Sequence, residues 1–135
     1  MYLLDTNVVS ELRRSNPHGA VVAWLESIAD AELHVSAVTI GEIQAGIEIT
    51  RGQDAAKAHE IETWLELVAT TYNVLPMDAA AFRMWARLMH RKSNALIEDA
   101  MIAATANVHS LTVVTRNIRD FTTFGVLTLD PWKRL

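Results

Sequence analysis

The chain has 135 residues, half of them hydrophobic, with five glycines, three prolines and no cysteine. That length supports one domain, residues 1–135, with a core of its own, and the composition excludes intrinsic disorder, disulfide frameworks and every thiolate-based site. A formal net charge of −4 excludes an overall polycation, no run approaches the roughly 18 apolar residues of a membrane span, and no basic-then-apolar leader is visible, so a cytoplasmic location is expected.

In chain order, "YLL" at residues 2–4 reads as a short buried strand that stops at Asp5, and Thr6, Asn7, Ser10 and Glu11 open a helix at once. Pro17 and Gly19 separate it from a second helix, on which Val21, Trp24, Leu25 and Ile28 recur at helical spacing. "LHVSAVT", residues 33–39, alternates and is rich in β-branched residues, which predicts a second strand; the helix after it carries Ile40, Ile43 and Ile47 on one face. Residues 51–72 bear Ile61, Trp64, Leu65 and Val68 as an apolar stripe. "YNVLPM", 72–77, predicts a third strand, ended by Asp78 as the cap of a helix bearing Phe82, Trp85, Ala86 and Met89. "DAMIAATANVH", 99–109, predicts an Ala-rich helix able to pack closely. "LTVVT", 111–115, is the most strand-like run, and "VLTL", 126–129, predicts a last, edge strand. Strands alternating with helices predict an α/β domain: a central, mostly parallel sheet of about 4–5 strands with helices on both faces.

In such sheets ligands gather outside the carboxyl ends of the strands. Asp5 ends the first strand, Glu42 falls in the first turn of the helix after the second, and Asp120 follows the fourth through the loop "RNIRD". Asp99 starts the Ala-rich helix and can reach the same edge. Singly, each has an ordinary role: a cap at Asp5 or Asp99, a dipole partner at Glu42, a turn former at Asp120. Together they are costly. Two carboxylates ~4 Å apart at an effective dielectric of ~20 repel by about 4 kcal/mol, and a fold stable by only ~5–15 kcal/mol cannot carry several such pairs unopposed. Protonation or a cation must relieve them. No Lys is placed to do so, and all-oxygen ligands favour Mg²⁺ or Mn²⁺ over Zn²⁺. The histidines are scattered without ligand spacing, Glu98 and Glu11 read as ordinary helix glutamates, and Arg87, Arg91 and Lys92 as a solvated face.

The blocks "LLDTNVVSEL", "SAVTIGEIQAGI", "EDAMIAATA" and "VVTRNIRDF" resemble, in order, the four signature blocks of PIN domains. The resemblance runs from Met1 to Trp132 and is closest to the toxin subunits of VapC and FitB type in bacterial and archaeal toxin–antitoxin pairs. It implies a ribonuclease dependent on Mg²⁺ or Mn²⁺, leaving 5′-phosphate and 3′-hydroxyl ends and inhibited by a small DNA-binding antitoxin encoded beside it. It places the family's acids on Asp5, Glu42 and Asp99, with Asp120 as the fourth and Asn117 as a polar second. Asp5 and Asp99 would hold the metal directly, with Glu42 and Asp120 binding through water or receiving a second ion. Thr6, Asn7, Ser10 and Thr115 are the side chains expected to orient carboxylates or the attacking water. Arg116 and Arg119 are candidate phosphate contacts, with a salt bridge to a Glu as the ordinary alternative. Many relatives carry a Pro shortly before the third acid, where this chain reads "ALIED"; that alters the loop rather than the ligand. A homodimer through residues 79–109 and a toxin–antitoxin hetero-oligomer are implied, as is an antitoxin tail lying along Ile43, Ile47 and the Ile61–Val68 stripe.

Other classes fit less well. No "GxSxG" elbow, Walker loop or "GxGxxG" occurs. A phosphate-transfer fold with a nucleophilic Asp wants a second Asp where Asn7 stands. A catalytically silent binding or regulatory module of the same fold is the remaining alternative, and four mutually repelling acids argue against it.

Overall fold

In the computed structural model, which describes residues 1–133, five short strands make one sheet: β1 (Tyr2–Leu4), β2 (Leu33–Ser36), β3 (Asn73–Leu75), β4 (Thr112–Val114) and β5 (Thr128–Leu129). They lie in the order β3-β2-β1-β4-β5, and every neighbouring pair is parallel. Parallel neighbours need crossovers, and the helices supply them: α1 (Thr6–Glu11) and α2 (Gly19–Glu26) after β1, α3 (Ala37–Arg51) and α4 (Ala55–Thr71) after β2, α5 (Ala79–Met89) and α6 (Ile97–His109) after β3, and α7 (Ile118–Thr122) after β4. The expected α/β architecture with helices on both faces is the one observed.

Alternation along the strands divides the core between those faces. Leu4, Val35 and Val114 pack with Val8, Val9, Val21, Trp24 and Val68 from α1, α2 and α4. Leu3 and Val113, one residue earlier in register, pack with Ala100, Ile102, Ala103 and Ala106 of α6 and Phe121 of α7. The alanines of α6 are fully buried, so short side chains let this helix lie close to the sheet. The chain moves outward from β1 through β2 to β3, then returns across the sheet to β4 and β5. The order therefore reverses between β1 and β4, the place where open α/β sheets leave a crevice.

Several boundaries differ from expectation for identifiable reasons. The second strand stops at Ser36 rather than residue 39, because the Ser36 hydroxyl accepts the Val38 N–H at 3.1 Å and caps α3. A capped helix start outweighs the β-branched composition of "AVT". Asp78 caps α5 by accepting the Ala81 N–H at 2.9 Å, as expected. The "RNIRD" stretch is not a plain loop, since Ile118 to Asp120 open α7. The stripe on α4 is largely core: Ile61, Leu65 and Val68 are buried and Trp64 is half-buried. On α5, Phe82 stays 45% exposed, edge-on to Trp85 at 6.1 Å between ring centroids. Among the described residues no helix is long and apolar enough to cross a membrane.

Candidate active site

The apolar β1 ends where Asp5 turns the chain into α1, and that turn buries a carboxylate at the switch point. Asp5 is the α1 N-cap and is only 3% exposed. Its Oδ1 accepts the Thr6 N–H at 2.8 Å. Its Oδ2 accepts the Thr115 hydroxyl at 2.8 Å and the Asn7 side-chain amide at 3.1 Å. Thr115 stands at the end of β4, beside β1, because the Asp5 N–H extends the ladder to the Val114 carbonyl at 2.9 Å. The Thr115 hydroxyl also accepts the Asn117 N–H at 2.9 Å, and the Arg116 N–H donates to the Asn7 Oδ1 at 3.3 Å. The loop after β4 is thus tied to α1 through the residues that hold Asp5.

Glu42 is fixed from the neighbouring crossover. The Thr6 hydroxyl donates to its Oε1 at 2.9 Å and lies 3.0 Å from the Thr39 hydroxyl. With its proton on Glu42, Thr6 accepts from Thr39. Because α3 begins at Ala37, Glu42 lies in the second turn of that helix, not the first. Asp99 is the third residue of α6, with Leu96 at the N-cap position, so capping does not account for it. The Trp85 indole N–H donates to the Ile97 carbonyl at 3.3 Å and ties α5 to the start of that helix. Asp120 lies in the first turn of α7.

The electrostatics join these four acids. Burial raises Asp5 above the usual carboxylate range, against the lowering effect of Thr115 and the Thr6 N–H. Loss of hydration raises Asp99 to about 6, with the charges of Asp5, Asp120, Glu42 and Glu98 adding to it. Loss of hydration also raises Glu42, which feels Asp5 and Glu98. Asp99 is therefore within electrostatic reach of the other three acids. None of the ion pairs among the described residues involves them; Arg14, Arg51 and Lys57 pair with Glu11, Glu48, Glu62 and Glu60 instead. The donors are carboxylates and hydroxyls, a set that suits a hard divalent cation. Among the described residues no three acidic or histidine side chains stand close enough to enclose an ion already, so the cluster is open, with Asp5 its most firmly held member.

The remaining expected residues divide. Thr6, Asn7 and Thr115 bond the acids directly, whereas Asn117 contributes its backbone N–H and its side chain caps nothing. Ser10 is exposed and lines a groove with Thr6 and Glu42. Arg116 places its guanidinium 5.0 Å from the Trp132 ring centroid, a cation–π contact rather than the salt bridge weighed for it. Arg119 is exposed and α7 uses its carbonyl, which accepts from Thr122 at 3.0 Å. Two contributors were missed. Thr39 reads as one more β-branched residue inside an expected strand, and only the early start of α3 turns its hydroxyl to Thr6. Glu98 is solvent-exposed as expected, yet its charge reaches both Glu42 and Asp99. The signal was its position next to an acid already assigned.

Comparison with known proteins identifies the family and the fold. The PIN domain profile matches residues 2–125. Toxin FitB of Neisseria gonorrhoeae is 36% identical over 138 residues, covering 98% of this chain and 99% of its own. VapC ribonuclease Y4jK of Sinorhizobium fredii is 37% identical over 141 residues, with the same coverage. The crystal structure of FitAcB from Neisseria gonorrhoeae superposes with a TM-score of 0.87 at 34% identity, over 99% of this chain and 100% of that one. With its full set of signature blocks, its parallel sheet and its full-length relatives, the chain belongs to the PIN domain family, in its VapC and FitB branch.

Proposed function

We propose that the protein is an endoribonuclease dependent on Mg²⁺ or Mn²⁺, the toxin of a toxin–antitoxin pair, hydrolysing RNA phosphodiester bonds at Asp5, Glu42, Asp99 and Asp120. The observation that carries this reading is the gathering of four acids, three of them with raised carboxyl pKa, at the sheet's switch point, with no basic side chain paired to them among the described residues. The names of the two relatives, a toxin and a ribonuclease, support it. A cognate antitoxin is the proposed inhibitor, and a second copy of the chain the proposed cover for the exposed Phe82. The cytoplasm, where RNA and antitoxin are both present, is the proposed location.

Asp5 and Asp99 would hold the metal directly, with Glu42 and Asp120 binding through water or receiving a second ion with the substrate. When bound, the metal supplies a water acidic enough to attack phosphorus and charge to offset the developing oxyanion. The chain's own residues do the positioning. Thr115 and Asn7 lock the Asp5 carboxylate in one orientation, and the relay from Thr39 through Thr6 does the same for Glu42. This preorganisation fixes two of the four acids, Asp5 and Glu42, in one orientation each.

A ribonuclease assay on antitoxin-free protein tests the reading, using structured RNA with Mg²⁺, Mn²⁺ or EDTA beside an Asp5→Asn variant. Cleavage is expected with metal and not with EDTA, together with a Mn²⁺-dependent rise in Tm that the variant loses. Well-folded wild-type protein that neither cleaves any RNA nor gains stability from Mn²⁺ would leave a silent binding module in its place.

A further inference from the structure

Two cavities open side by side near the acids and share Arg13, Ile61 and Trp64. The inner one, about 370 Å³, is lined by Thr6, Ser10 and Glu42 and so reaches the acid cluster. The outer one, about 480 Å³, is lined by Arg14, Lys57 and Glu60. With Arg13, its lining holds three cations against one anion, in a chain whose net charge is −4. Arg14 and Lys57 are partly engaged, by Glu11 at 3.4 Å and Glu60 at 3.8 Å. Arg13 differs. It follows α1 in the turn where its N–H meets the Ser10 carbonyl at 3.2 Å, and it is exposed. Its guanidinium makes no ion pair and no side-chain hydrogen bond among the described residues. The chemistry assigned to the four acids makes no use of it.

We propose that the two cavities form one track for a single RNA strand, in which Arg13 binds a backbone phosphate and Trp64 offers its half-buried ring to a base. The proposal rests on the ribonuclease reading for the identity of the strand. An unpaired guanidinium at the junction suits a phosphate, which it can grip through two parallel N–H bonds. An aromatic side chain beside a cationic groove is how single strands are held without sequence readout, since every base has a face to stack. The charge pattern also favours a polyanion over a neutral peptide: repulsive near Glu42 until a cation is bound there, attractive from Arg13 outward. The outer cavity would hold the strand while the acids engage the scissile phosphate.

The test separates binding from cleavage. Affinity for a short fluorescein-labelled single-stranded RNA of mixed sequence is read by anisotropy in Mg²⁺ over a range of salt, in an Asp5→Asn background, for Arg13, Arg13→Ala and Arg13→Lys. Arg13→Ala is expected to weaken binding about three- to tenfold and to lower the salt slope by about 1, while Arg13→Lys keeps the slope and recovers part of the affinity. In the Asp5 protein, Arg13→Ala raises KM by a similar factor and leaves kcat within about twofold. Unchanged affinity, slope and KM in Arg13→Ala would overturn the track even if the protein cleaves RNA; so would an effect seen only on capture of a co-expressed antitoxin. RNA binding that depends on Arg13 in a protein that never cleaves would uphold the track and sink the nuclease instead.

Discussion

Two buried carboxylates bracket α1, and the chain treats them in opposite ways. Glu11, its last residue, is 6% exposed and accepts the His18 N–H at 2.9 Å, with Arg14 at 3.4 Å. The His18 N–H, aided by the Arg14 charge, holds its carboxyl below the ordinary range. Asp5, at the other end, is buried as deeply and has three donors, but all are neutral, and its carboxyl is raised. Glu11 is answered from within the chain and staples the turn into α2. Asp5 is held in place without being neutralised, and its charge acts on two other acids, Glu42 and Asp99. A buried carboxylate answered by a donor and a cation of its own chain belongs to the fold; one held by neutral donors at a raised pKa is the one that the proposed function supplies with a cation from outside.

Exchanging the charges one at a time gives the largest test of that contrast. Asp5→Asn is expected to cut kcat on the order of 10²-fold or more, since a charge essential to the acid cluster is removed. Glu11→Gln is expected to keep kcat within about twofold and to lower Tm, because the His18 bond survives and the Arg14 pair does not. Ribonuclease rates and thermal melts on both variants decide the matter. Equal losses of activity in the two would abolish the distinction.

Thr115→Val comes next, and it sharpens what holding means. The substitution removes the hydroxyl that donates to Asp5 and accepts from the Asn117 N–H, at a buried position. Leaving those groups unsatisfied costs about 1–3 kcal/mol of stability, and disorienting Asp5 is expected to reduce activity about 10–100-fold. Denaturant unfolding and steady-state rates measure the two effects separately. A variant that loses stability and keeps full activity would show that the Thr115 bond supports only the fold.

Much of this was legible because it follows from residue type and order. Alternating strand and helix signals fix the parallel sheet, and the parallel sheet fixes which strand ends face one edge. Asp5 could be singled out because it follows a strand end directly, whereas Asn7 and Thr115 came from the signature blocks. What escaped depends on where helices start. The Ser36 cap advances α3 by three residues, which turns Thr39 toward Thr6 and moves Glu42 to a second turn; no periodicity signals a cap inside a β-branched run. The stacking of Arg116 on Trp132 joins positions linked only by the folded β4–β5 edge. The apolar stripe of α4 was visible as a stripe, but whether it faces core or solvent is decided by how α3 packs on it.

Titration of stability gives the smallest effect and the one with a distinctive sign. Asp99 is raised from 3.8 to about 6, so the folded protein binds this proton more tightly than the unfolded chain does. The stability it contributes is fully present below about pH 4, declines as pH rises, and is gone above about pH 6. Glu11 is lowered, so its contribution is present above the ordinary glutamate range and is lost as pH falls through its folded value. The same chain therefore carries two carboxylates with opposite slopes. In EDTA, Asp99→Asn is expected to flatten the decline between about pH 4 and 6 and to stabilise the protein at pH 7 by about 1–2 kcal/mol, after solvent screening of this half-buried group. Glu11→Gln is expected to leave that decline intact and to flatten only the acid limb. Urea unfolding across this range reads both. If Asp99→Asn leaves the slope unchanged, neither loss of hydration nor the neighbouring acids raise this carboxyl in the folded protein, and the proposed cation site loses its electrostatic argument.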